Sequence, residues 1–129
     1  MQSVSPNIFV SDLNATIAFY QKLGFQLISS VPETGDYVWV MMVNSAVTFM
    51  FQTYASLGSD LPEISRKDGG SLLFYIQRKN IRKYFEEIKL RVTVIKPLEK
   101  TFYGATEFSI LDNNGYVLTF AEDEETEHN

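Results

Sequence analysis

Lys22-Leu23-Gly24-Phe25-Gln26-Leu27-Ile28 has a counterpart further along in Lys89-Leu90-Arg91-Val92-Thr93-Val94-Ile95, matched class by class except at Gly24/Arg91. Each copy closes a helical spacing and opens a strand. Before the first, Leu13, Ile17 and Tyr20 recur at i, i+4, i+7, an apolar helix face that Phe19 and Leu23 widen. Asp12 stands where an N-cap side chain accepts an orphan amide proton, and Gly24 where a left-handed residue ends a helix. Before the second, Ile81, Phe85 and Ile88 repeat the spacing behind Asn80, a second N-cap candidate.

Outward from these helices the order repeats as well. Val4, Pro6, Ile8 and Val10 alternate with Ser5, Asn7, Phe9 and Ser11, the period of a half-buried strand. Leu72, Phe74 and Ile76 alternate with Leu73, Tyr75 and Gln77 in the same way. After the first helix, 25–31, 37–43 and 46–52 read as strands. After the second, 107–111 reads as a strand that turns at Asp112-Asn113-Asn114-Gly115, a strong hairpin signal. Asn44-Ser45-Ala46-Val47 matches Asn114-Gly115-Tyr116-Val117, which pairs Tyr37 with Glu107 and Trp39 with Ser109. The prediction is an α+β fold of two βαβββ repeats, an internal repeat within one domain. Repeat one spans about 3–53, a linker about 54–70, repeat two about 71–122 and an acidic tail 123–129. The linker holds Gly58, Pro62, Gly69 and Gly70, with a short helix expected near 61–66.

At 129 residues the chain suits one domain, and its 45% hydrophobic and 21% charged content is that of a globular protein. No apolar run approaches the ~20 residues of a membrane span. Met1-Gln2-Ser3 lacks the basic and apolar regions of a signal peptide, so a cytoplasmic location is expected. There is no cysteine, hence no disulfide and no thiolate chemistry, and the single histidine is His128. The net charge of −5 is local: Glu122, Asp123, Glu124, Glu125 and Glu127 fall in the last eight residues, and the other 11 acids balance 11 Lys and Arg. Those five read as a solvated tail. No basic face exists for nucleic acid, and neither a nucleic-acid nor a membrane partner is expected.

The repeat, with Val10-Ser11-Asp12-Leu13 and Phe19-Tyr20-Gln21-Lys22-Leu23-Gly24-Phe25, resembles the vicinal oxygen chelate superfamily, which joins glyoxalase I, extradiol dioxygenases, and fosfomycin- and bleomycin-resistance proteins. The closing stretches Phe102-Tyr103-Gly104-Ala105-Thr106-Glu107-Phe108, Asp112-Asn113-Asn114-Gly115 and Phe120-Ala121-Glu122 are most similar to the bleomycin-resistance branch. The resemblance implies a curved mixed sheet cupped around a cavity, with helices on the convex side, in a chain that pairs as a homodimer. Apolar residues on both faces of the third and fourth strands support the dimer, because two helices leave such surface uncovered.

Metal-using relatives place one ligand on the first and one on the last strand of each repeat. By position these would be Ser5, Phe49, Leu73 and Thr119. Phenylalanine and leucine cannot coordinate a cation, and shifting the fourth strand admits only Met50 or Gln52, so no metal and no cofactor is expected. No serine pairs with a histidine in the body, and no glycine-rich phosphate loop is present; no catalytic residue is assigned.

If Val4, Ile8, Leu72, Phe74, Ile76, Leu118 and Phe120 face the helices, period two turns Tyr75 and Thr119 inward. Tyr37, Trp39, Glu107 and Ser109 follow from the repeat, and Phe49 from the fourth strand. Phe102 and Tyr103 lie in a loop, as a lid or as packing on a partner chain. Such walls suit a flat organic molecule; the same aromatics would equally fill a core or a dimer seam. Glu107 is either a strand-end carboxylate in water or paired with lysine, or one that orients a ligand amine or acts as a base. The expected function is metal-free binding and sequestration of a small aromatic molecule. The alternatives are a cofactorless isomerase or lyase with Glu107 as base, and a non-catalytic regulatory module.

Overall fold

The computed structural model describes residues 1–64 and 72–124. His128, Glu125 and Glu127 lie outside them, as do 65 and 66 of the expected linker helix. The chain divides into two compact units, Met1–Lys67 and Asp68–Asn129.

The first unit runs β1 (Asn7–Val10), α1 (Leu13–Lys22), β2 (Gln26–Val31), β3 (Trp39–Asn44), β4 (Val47–Thr53) and a short α2 (Tyr54–Leu57). Its four-stranded sheet has the order β1-β4-β3-β2, with β1 parallel to β4 and the other pairs antiparallel. The second unit runs β5 (Leu73–Gln77), α3 (Ile81–Ile88), β6 (Thr93–Lys100), β7 (Thr106–Leu111) and β8 (Val117–Glu122), in the order β5-β8-β7-β6 with the corresponding pairing. Two βαβββ units of mixed sheet make the fold α+β, as the repeat predicts.

Local chemistry explains α1. Asp12 Oδ1 accepts from Ala15 N at 3.0 Å, capping the helix start. At its end the Gly24 amide donates to Gln21 O and the Phe25 amide to Tyr20 O, a Schellman motif that needs the positive φ of Gly24. The rings of Phe25 and Tyr20, 5.4 Å apart, supply the apolar contact that accompanies this motif. Tyr20 then centres the core of the unit, with Phe19, Phe49 and Phe51 around it at 5.5, 5.8 and 4.8 Å.

The start of α3 is built differently from the expectation. Asn80 has φ +57 and makes no side-chain cap. Instead the Glu122 carboxylate, on β8, accepts from the Asn80 and Ile81 amides at 3.2 and 3.1 Å. A negative group among orphan amides at a helix N-terminus is favoured by hydrogen bonding and by the helix dipole together. Glu124 in turn pairs with Arg82 at 2.9 Å and accepts from the Thr106 hydroxyl at 2.6 Å, and its carboxyl is held below the usual range by those bonds, Arg82 first. Glu122 and Glu124 are therefore fixed parts of the second unit, which corrects the reading of all five acids as a solvated tail.

Three other expectations are corrected. β1 begins at Asn7, leaving Val4 and Ser5 outside it and exposed. The segment after β4 begins with helix α2, capped by Thr53, while 61–64 forms a turn rather than a helix. Leu90, matched to buried Leu23, is exposed because α3 ends at Ile88.

Candidate functional site

The second unit brings Tyr75, Tyr103 and Glu107 together. Phe108 and Phe120 pack on Tyr84 of α3, and Ile110 and Leu118 are buried with them, so the alternate residues Glu107, Ser109 and Thr119 point to the opposite, open face. Parallel pairing sets Tyr75 of β5 beside Thr119 of β8, on that same face. The turn between β6 and β7 adds Tyr103: Thr101 and Ala105 close it through their backbones at 2.7 Å, and Gly104 supplies the positive φ it requires.

Glu107 Oε2 accepts a hydrogen bond from the Tyr75 hydroxyl at 2.5 Å and another from the Tyr103 hydroxyl at 2.6 Å. A phenol donating to a carboxylate resists ionisation, so both tyrosines titrate above the ordinary range, the Glu107 bond being the largest cause for each. Among the described residues Glu107 has no cationic partner. Glu99, opposite it on β6, is paired with Lys96 at 3.3 Å. Tyr75 and Tyr103 are 48% and 58% exposed, so the cluster is open to a ligand. Phe102, 99% exposed, meets the Tyr103 ring edge-on at 4.9 Å. Ser109 and Thr119 are buried and their hydroxyls bond each other at 2.8 Å, which satisfies them within the sheet.

In the first unit Val40, Met42, Phe49 and Phe51 are buried on the α1 side. Trp39, Met41 and Met50 take the open face with Asn7 and Gln52, whose side-chain amides bond each other at 3.0 Å. Phe49, expected to line the ligand site, is only 4% exposed and stacks on Phe25 with ring centres 5.6 Å apart. The cause is a register slip in the repeat. Helix caps equate Asp12 with Asn80, hence Ile8 with Ile76, and the strand partners Phe51 with Phe120. Thr48, not Val47, thus corresponds to Val117, and a one-residue slip turns every side chain of β4 to the other face. On β3 the longer turn of the second unit doubles the slip: Trp39 corresponds to Glu107, and Tyr37 falls in the loop before β3. An even slip keeps the face, so Trp39 stays on the open side.

The sequence names Tyr75, Tyr103 and Glu107 as ligand-site candidates but gives no sign that they bond one another. Tyr103 and Glu107 are joined through a turn and Tyr75 through a strand far along the chain, and no local periodicity signals either link.

The sequence model of the Glyoxalase/Bleomycin resistance protein/Dioxygenase superfamily matches residues 3–120. The chain belongs to this superfamily. Among solved structures this superfamily member is similar to a protein of unknown function from Agrobacterium tumefaciens, at 25% identity and TM-score 0.77, covering 95% of this chain and 94% of that one. A glyoxalase/bleomycin resistance protein/dioxygenase family enzyme from Burkholderia phytofirmans is 23% identical with TM-score 0.75, covering 92% and 95%. The bleomycin resistance determinant encoded on transposon Tn5 is 18% identical with TM-score 0.66, covering 96% and 99%. No curated protein matches at a significant level.

The metal that some members of the superfamily use does not fit the donors here. Phe49 is in the core, Met50 takes its place on the open face with only a thioether, and Leu73 offers no donor atom. Among the described residues no three His, Asp or Glu side chains gather into a ligand set, and no helix is long and apolar enough to cross a membrane.

Proposed function

We propose that the chain binds and sequesters a small organic molecule, without a metal, on the open face that carries Glu107. One observation carries the reading: a carboxylate fixed by two phenol donors stands on an accessible face with no ion-pair partner among the described residues. Tyr75, Tyr103 and Phe102 add aromatic surface beside it, a mixture of apolar walls and a few placed polar groups that suits ligand recognition. Ser109 and Thr119, bonded to each other, are buried beside Glu107 on the same face. In a resistance role the captured compound would be an antibiotic, and antibiotics therefore head the compounds to be screened.

The test is a thermal-shift screen of antibiotics and aromatic amines and acids on chelator-treated protein. A ligand at about 100 times its Kd stabilises the folded state by about 2.7 kcal/mol. A compound that stabilises the protein and is recovered unchanged supports sequestration. Stabilisation that appears only on adding a divalent metal refutes it. Glu107 Oε1, which accepts no hydrogen bond from the described residues, favours a second reading, general-base isomerisation or lysis without a cofactor. Product formation by the wild type, abolished in Glu107→Gln, would establish that reading instead.

A further inference from the structure

The hydrogen bonds inside the Tyr75–Glu107–Tyr103 cluster decide which ligands it can accept. A phenol has one proton to give, and both phenols give theirs to Glu107 Oε2. What remains on the carboxylate is Oε1, which accepts no hydrogen bond from the described residues. An ionised carboxylate has no proton to add. The cluster is thus an acceptor without a donor, and among the described residues its carboxylate forms no ion pair with a lysine or arginine. A neighbouring lysine, Lys96, lies on the same sheet but is engaged with Glu99.

We propose that this cluster is a recognition site for an organic cation that carries N–H donors, an ammonium or amidinium group attached to an aromatic body. The inference rests on the small-molecule reading above and names the chemical class of its ligand. A cationic N–H group satisfies the remaining carboxylate oxygen and its charge at once, and charge-assisted bonds of this kind are about twice as strong as neutral ones. The aromatic rings of Tyr75 and Tyr103 add attraction for a cation over their faces. A carboxylate or phosphate meets the opposite case, with no donor to receive it and a like charge at hydrogen-bond range. The tyrosines are positioning residues: they hold the carboxylate and withdraw their own protons from the ligand.

Three probes that share a phenyl ring separate the possibilities: benzamidinium, benzyl alcohol and benzoate. Each is titrated into the full chain at neutral pH while backbone amide resonances are followed. The expected result is that benzamidinium moves the signals of Tyr75, Tyr103 and Glu107 and binds at least about ten-fold tighter than the other two. In Glu107→Gln that preference should fall to within about two-fold, and in Glu107→Ala, where both phenol protons are released, benzoate should gain affinity. Tyr103→Phe, which keeps the charge, should retain the cation preference, so a loss of folding in one variant does not remove the test. Equal binding of benzoate or benzyl alcohol at these residues overturns the cation inference and leaves small-molecule binding standing. If no probe binds here but the thermal screen finds a ligand elsewhere, the cation site is again refuted. Silence in both experiments refutes the binding function itself.

Discussion

Replacing Glu122 by alanine should destabilise the protein by about 2–3 kcal/mol, although sequence alone assigns this residue to a charged tail. The residue is 9% exposed, and its carboxylate accepts from two backbone amides at the start of α3, those of Asn80 and Ile81. Losing a helix cap costs about 0.5–2 kcal/mol, and leaving a buried donor unpaired about 1–3 kcal/mol. The two figures describe the same amides and therefore overlap rather than add. Ile81 is fully buried, so water cannot reach its amide without opening the helix end. The Asn80 amide is less enclosed and loses less. Glu122→Gln keeps an acceptor but loses the charge, and should cost about half as much. Urea unfolding followed by far-ultraviolet circular dichroism measures both values, with an unchanged m showing that the effect lies in stability. A cost below about 0.5 kcal/mol for Glu122→Ala, the scale of an ordinary surface change, would refute the assignment of Glu122 as the cap of α3.

Phe49→Ala should cost about 3–5 kcal/mol in the same assay, because the ring fills the core between Tyr20 and Phe25, whereas Met50→Ala on the open face should cost far less. Equal costs would contradict the register of β4. Tyr75 and Tyr103 should ionise above the ordinary range near 10 in the wild type and return toward it in Glu107→Gln, as read from phenolate absorbance against pH. Because their folded values are raised, the stabilisation they bring is present below pH ~10 and is lost as pH rises through the folded values; Glu107→Gln should flatten that alkaline limb. A homodimeric mass by light scattering is expected at tens of micromolar protein, given the exposed Ile28, Val31, Leu72 and Leu73, and a monomer at that concentration would count against a paired state.

Much of the fold could be read from short-range chemistry. Asp12, the period of Leu13, Ile17 and Tyr20, and Gly24 define α1, and each of those signals operates within a few residues. Asp112 likewise folds its own turn by accepting from the Asn114 and Tyr116 amides. What the sequence hid was non-local. Asn80 looked like a cap as Asp12 did, but its left-handed backbone turned the task over to Glu122, which only the pairing of β8 beside β5 brings near. The two hairpins differ in length: Asn44 pairs with Val47 across two residues, while Leu111 pairs with Val117 across a longer turn. Aligning their turn residues therefore shifts β4 by an odd step and β3 by an even one. That parity puts Phe49 on the α1 side of the sheet and Trp39 on the other. At the candidate site the residue types were legible, but the two bonds onto one oxygen of Glu107 required the strands to be in place.

The most direct test of the account is isothermal titration of chelator-treated wild type and Glu107→Gln with a ligand taken from the thermal screen, followed by recovery of the ligand. The prediction is saturable binding by the metal-free wild type, at least about ten-fold weaker in the variant, with the ligand returned unchanged. Binding that requires an added divalent metal, or that is equally tight in Glu107→Gln, would contradict it.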